Sequence, residues 1–149
     1  MIAKEFVIKY LPLAQAAAAK FGFSDPYFLL AQQYAENSGD SSLLNKTHNV
    51  GSLISRVGKN KLQTNQYWKG EEYLAKSSGL SFRVYSTLQD GYYDYARLLG
   101  NVYKLNTAKT IEEYAIKVSQ SRYIDEKNGD NREVYAKNII ATYKKIKQI

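Results

Sequence analysis

What most limits the fold open to this chain is a break in its pattern: helical periodicity runs to Glu36, stops, and returns after Tyr85. Phe6, Val7, Tyr10, Leu11, Ala14, Ala17, Ala18 and Phe21 recur at the spacing of one helix face, and Gly22 follows as a stop. Asp25 then precedes Pro26, an N-cap followed by a residue whose fixed φ suits the first turn, so a second, largely apolar helix is expected from Tyr27 to about Glu36. From Asn37 to Gly79, Ser, Asn, Gly and Lys interrupt short apolar pieces such as Val50 to Ile54 and Tyr67-Trp68, which predicts loops with short strands. Ser81 to Tyr85 alternates and predicts a strand. Ser86 or Thr87 then caps a helix carrying Tyr92, Tyr95, Ala96, Leu98, Leu99 and Val102. Thr110 and Glu113 form a capping box, and Asp130 or Asn131 caps a last helix with Val134, Tyr135, Ile139, Ile140 and Tyr143. Between these lies Ser121 to Gly129, which reads as an irregular polar loop. The expected architecture is mainly α with some β: one domain over 1–149, a helical bundle with a small β-containing lobe at about 37–85 and a groove where the two meet.

Composition removes several chemistries from such a fold. The chain has no cysteine, hence no thiol nucleophile, disulfide or thiolate metal site. His48 is its one histidine, too few for a zinc hydrolase site or for a nucleophile activated by histidine. Carboxylates and tyrosines must carry any catalysis. Tyrosine outnumbers phenylalanine 14 to 5, so many rings carry a polar tip suited to half-exposed faces, a saccharide groove among them. The net charge of +7 predicts attraction to polyanions, and an anionic bacterial envelope suits the scattered lysines better than nucleic acid does. The run Lys144, Lys145, Lys147 reads as a solvated helix end. No apolar stretch is long enough to span a membrane, and Met1 to Tyr10 lacks the pattern of a signal peptide.

Glu36 is the carboxylate whose position stands out. It ends the most apolar helix, where partial burial and the negative end of the helix dipole both disfavour the ionised form. A carboxyl group kept protonated near neutral pH is what a glycosidase uses to protonate a leaving oxygen. A glutamate in a solvated helix end is the alternative from position alone.

The stretch Leu30-Ala31-Gln32-Gln33-Tyr34-Ala35-Glu36-Asn37-Ser38-Gly39-Asp40-Ser41-Ser42-Leu43-Leu44 resembles the catalytic helix and following loop of glucosaminidase-type peptidoglycan hydrolases, glycoside hydrolase family 73. Ala31, Gln32, Glu36, Ser42 and Leu44 match in register, while Gly39 stands where that family carries a Trp. In the same order, Asn49-Val50-Gly51-Ser52-Leu53 is similar to the segment opening the family's small lobe, without its usual Phe. Trp68-Lys69-Gly70, Glu72-Tyr73 and Phe82-Arg83-Val84-Tyr85-Ser86 resemble its Trp-x-Gly, Glu-Tyr and Phe-Arg-x-Tyr elements. Leu98, Leu99 and Tyr103 follow in its next helix. Arg122-Tyr123-Ile124-Asp125 and Tyr135-Ala136-Lys137-Asn138-Ile139-Ile140 resemble its Tyr-Ala-Thr-Asp loop and Tyr-Ala helix, so the likeness spans nearly the whole chain.

The resemblance implies a lysozyme-like fold and an endo-β-N-acetylglucosaminidase that cuts the glycan of the bacterial cell wall. It makes Glu36 the general acid, Glu72 a second catalytic carboxylate and Tyr123 a catalytic groove residue, with Gln32, Asn49, Trp68, Tyr85 and Asp125 binding substrate. Glu71 and Asp40 are alternatives to Glu72, and an inverting route and one assisted by the substrate's own acetamido group both stay open. Neither route needs a cofactor or metal. A muramidase, a lytic transglycosylase and a non-catalytic glycan-binding module are the competing readings. The expected partner is peptidoglycan, with no nucleic acid, and the protein is expected to be a monomer. It is expected to act in the periplasm or wall, bacteriolytic and of phage or secreted type, reaching its substrate by another route than its own signal peptide or as part of a longer secreted protein.

Overall fold

Asp25 and Pro26 start a helix as their order dictates. In the computed structural model, which describes residues 1–56, 62–121, 123 and 131–149, the Asp25 side chain accepts a hydrogen bond from the Tyr27 amide at 2.9 Å, and Pro26 is the first residue of helix α2, Pro26–Asn37. The chain forms two compact units, Met1–Ser38 together with Ala96–Ile149, and Gly39–Tyr95.

The first unit is helical. Helix α1, Ala3–Phe21, buries Phe6, Val7, Tyr10, Ala14, Ala17 and Ala18 and ends where Gly22, at φ 78°, turns its N–H back to Ala18. Helix α1 packs on α2, and Phe6 meets Tyr34 edge to face at 4.8 Å. Helix α5, Ile111–Ser119, begins where the Thr110 side chain accepts from the Glu113 amide. Helix α6, Arg132–Lys147, packs against both α2 and α5. Phe28, Leu29 and Leu30 of α2 are almost wholly buried, each contributing about 1.5–3 kcal/mol of hydrophobic stabilisation. Helix α2 is buried from Phe28 to Gln33, and its last turn, which carries Glu36, follows directly on that buried stretch.

Asp25 also ties α2 to the far end of α6. Its carboxylate accepts from the Tyr143 hydroxyl at 2.6 Å and pairs with Lys147 at 3.4 Å, and burial and that carboxylate push the Tyr143 phenol up. Asp25→Ala removes the helix cap and this tie together. It is expected to cost about 2 kcal/mol, lowering the melting temperature by about 5 °C, measured by circular dichroism. An unchanged melting temperature would mean that water replaces both contacts without loss.

The second unit contains the short helix α3, Ser42–Thr47, capped by Ser41, and a hairpin of β1, Glu72–Ala75, and β2, Leu80–Arg83. The strands are antiparallel, with Glu72 opposite Arg83 and Tyr73 opposite Phe82. The strand expected at 81–85 therefore lies at Leu80–Arg83, and the pieces around Val50 and Tyr67 are not strands, although isolated bridges join Ile54 to Phe82 and Arg56 to Leu62. Leu53 and Ser55 still bond through their backbone to Arg83 and Ser81, but side chains compete for the neighbouring backbone groups. Asn49 Oδ1 accepts from the Leu53 amide while its Nδ2 donates to the Leu53 and Arg83 carbonyls, and Asn65 Oδ1 accepts from the amides of Tyr67 and Trp68. Helix α3 was not expected, because six residues show too little of a 3.6-residue period. Helix α4, Leu88–Arg97, starts at Thr87, whose hydroxyl accepts from the Asp90 amide, and is followed by a π-helical turn, Leu98–Val102. Gly91 is required there: a Cβ would lie 1.8 Å from the carbonyl oxygen of His48.

Candidate active site

Glu36 lies in the last turn of α2, half-buried, just before Ser38 adopts φ 55° and ends the helix with its N–H on the Tyr34 carbonyl. Gln32 is one turn earlier on the same face. A directed series of hydrogen bonds runs between them through α5 and α6. The Tyr114 hydroxyl donates to Gln32 Oε1 at 2.5 Å, Gln32 Nε2 donates to the Tyr135 hydroxyl oxygen at 3.2 Å, and the Tyr135 hydroxyl donates to Glu36 Oε1. Tyr123 is buried nearby, its ring edge-on to Tyr103 at 6.0 Å. Burial, and then the charge of Glu36, push the phenols of Tyr114, Tyr123 and Tyr135 well above their ordinary value. These hydroxyls stay neutral across the working pH range, so the group comprises one carboxylate that can gain and lose a proton and tyrosines that can only orient it or hydrogen-bond to it.

Sequence reasoning missed Tyr114 and Tyr135 as site residues. The available signal was slight: each places a hydroxyl-bearing ring on a buried helix face where phenylalanine would satisfy packing alone.

The other expected site residues are placed differently. Glu72 opens β1, and its carboxylate accepts from Ser55 at 2.6 Å and Arg56 at 3.1 Å, bonds that hold it below the usual carboxylate range. Gln32 is fully buried and serves the tyrosines described above. Asn49, Trp68 and Tyr85, read from the sequence as substrate contacts, are likewise buried, and each makes hydrogen bonds to protein partners. Asn49 cross-links the loop at Leu53 to Arg83, Trp68 donates from Nε1 to the Glu71 carbonyl at 2.8 Å, and Tyr85 donates to Asp94 at 2.5 Å. Asp125 lies outside the described residues, as do the neighbours of Tyr123 in its motif. Of the alternative carboxylates, Asp40 is exposed and accepts from Asn45, and Glu71 is exposed. Gly39, in the place of the expected Trp, has φ 73°, a conformation that an L side chain adopts only under strain. Among the described residues no cluster of three or more histidines or carboxylates is arranged to hold a metal, and no helix is long and apolar enough to cross a membrane.

Residues 11–148 match the glucosaminidase family, described as mannosyl-glycoprotein endo-beta-N-acetylglucosaminidase. The chain belongs to the glucosaminidase family. Two solved structures share the fold of this glucosaminidase. The glycoside hydrolase domain of Salmonella typhimurium FlgJ aligns with TM-score 0.68 and 22% identity over 99% of this chain and 90% of that one. A peptidoglycan hydrolase from Sphingomonas sp. A1 aligns with TM-score 0.61 and 23% identity over 91% of this chain and 86% of that one. No curated protein sequence matches the chain significantly. The glucosaminidase is thus a glycoside hydrolase with the mainly α, lysozyme-like fold expected from its sequence.

Proposed function

We propose that this glucosaminidase cleaves the glycan of bacterial peptidoglycan after N-acetylglucosamine, with Glu36 as general acid. The observation that carries the reading is the setting of Glu36: a half-buried carboxyl group at the C-terminal end of a largely buried helix, hydrogen-bonded by Tyr135 and close to tyrosines that stay neutral. In this mechanism Glu36 gives its proton to the glycosidic oxygen as the bond to the anomeric carbon breaks, and the electron pair of that bond stays on the leaving oxygen. The positive charge left on the sugar is met by water or by the substrate's acetamido oxygen. Glu72, held in its charged form by Ser55 and Arg56, is the carboxylate proposed to activate that water. Tyr123 is proposed to hydrogen-bond the reacting sugar. The charge of +7 favours residence on the anionic wall. The whole chain acts as one catalytic domain in this reading.

Mass spectrometry of fragments released from purified peptidoglycan tests the proposal. The wild type is expected to leave reducing N-acetylglucosamine ends, and Glu36→Gln none. Reducing N-acetylmuramic acid ends would make the protein a muramidase, and anhydro ends a transglycosylase. Intact glycan after long incubation would leave a binding module. The anomeric configuration of the new end separates the water route, which inverts it, from the acetamido route, which retains it.

A further inference from the structure

We infer that Tyr135, oriented by Gln32, is the positioning residue that holds Glu36 Oε1 as a permanent acceptor and so leaves the transferable proton on Oε2. The inference rests on the reading of Glu36 as the general acid, and it assigns that acid its geometry and the direction of its hydrogen bonds. Gln32 is 0% exposed, so its amide has no water to satisfy it and each end must face a protein partner. Its oxygen takes the Tyr114 proton, which turns its NH2 group to Tyr135. The Tyr135 oxygen is then occupied as an acceptor, and its single proton has one direction left, toward Glu36. With Glu36 ionised, the opposite orientation would set the lone pairs of Tyr135 against a carboxylate; with Glu36 protonated, a Glu36 O–H aimed at Tyr135 would compete for the oxygen that Gln32 Nε2 already occupies and leave the Tyr135 proton without this acceptor.

The consequence is chemical. With Oε1 accepting from Tyr135 in both protonation states, the acidic hydrogen resides on Oε2. When the Oε2–H bond breaks and the proton passes to the glycosidic oxygen, the electron pair of that bond stays on Glu36, and the Tyr135 hydrogen bond strengthens as the charge appears. A donor aimed at charge that develops during the reaction stabilises the transition state more than the ground state.

Tyr135→Phe keeps the ring and removes only the donor. The expected result is a fall in kcat of about tenfold or more with KM within about twofold, because a hydrogen bond to a charged group is lost. The alkaline limb of kcat/KM, which reports loss of the acid's proton, is expected to move to higher pH by about one unit, since the carboxylate has lost a stabilising donor. Tyr143→Phe, which removes a hydroxyl from the same helix but at Asp25, is expected to leave both unchanged. A limb that stays in place in Tyr135→Phe, with Glu36→Gln inactive, overturns the inference and leaves the acid assignment standing. Activity retained in Glu36→Gln would instead remove the acid assignment. A readout on the wild type needs no variant: nuclear Overhauser contacts should place the Gln32 amide protons beside the Tyr135 ring, and their placement beside Tyr114 would reverse the orientation and end the argument.

Discussion

Glu36→Gln is expected to lower kcat on peptidoglycan by about a thousandfold, within the range of 10² to 10⁴ attributed to general acid catalysis, while the protein melts within about 2 °C of the wild type, a shift worth less than about 1 kcal/mol. The two halves of that expectation have separate causes. Glutamine has the shape of glutamate and keeps an oxygen that can accept from Tyr135, so the bond from α6 to the end of α2 survives. What disappears is the proton, and an amide has none acidic enough to replace it. Substrate binding made by the rest of the protein is untouched, so KM should change little and the loss should appear in kcat. A fall of less than about tenfold would show that another group protonates the leaving oxygen. A large fall accompanied by a lower melting temperature would assign Glu36 a structural part instead, through its bond to Tyr135.

The start of α2 could be read because its signals are local. Asp25 and Pro26 lie next to each other, and the cap they form needs no knowledge of distant residues. Thr110 and Glu113 announce α5 in the same way. Glu36 could be singled out because its place at a helix end follows from the same periodicity. Its partners could not. Tyr114 reaches Gln32 across 82 positions and Tyr135 reaches it across 103, and no local pattern encodes an encounter at such separation. The second unit was hard to read for another reason. Its loops are held in part by the side chains of Asn49 and Asn65, so the backbone pairing of Leu53 and Ser55 with β2 goes no further than the single bridge at Ile54. Asn49, Trp68 and Tyr85 stand out in the sequence as motif residues, but the hydrogen bonds these buried side chains make within the unit, that of Asn49 reaching Arg83 across 34 positions, are not encoded in a short pattern.

Asp94→Ala is expected to produce the largest loss of stability, about 3–5 kcal/mol, or a melting temperature lower by about 10 °C. Asp94 is fully buried and receives Arg83 at 2.8 Å and Tyr85 at 2.5 Å on one oxygen and Asn65 at 2.9 Å on the other. Arg83 is itself buried, lies over the Trp68 ring at 4.5 Å and donates to the Ile54 carbonyl. Truncating the aspartate leaves the guanidinium charge in a poorly solvated place with no counter-ion and leaves the Tyr85 and Asn65 donors with no acceptor there. The cost is that of stranded groups, which exceeds the net worth of the pair itself. Asp94→Asn, which keeps one acceptor oxygen without the charge, should fall between the two. Calorimetry of Asp94→Ala also tests whether residues 1–149 unfold as one domain. One transition at the lower temperature means that the damage at Asp94 is felt by the helices that hold Glu36. Two transitions, one of them at the wild-type temperature, would show that the unit of Gly39–Tyr95 melts alone and that Glu36 keeps its tyrosines without it.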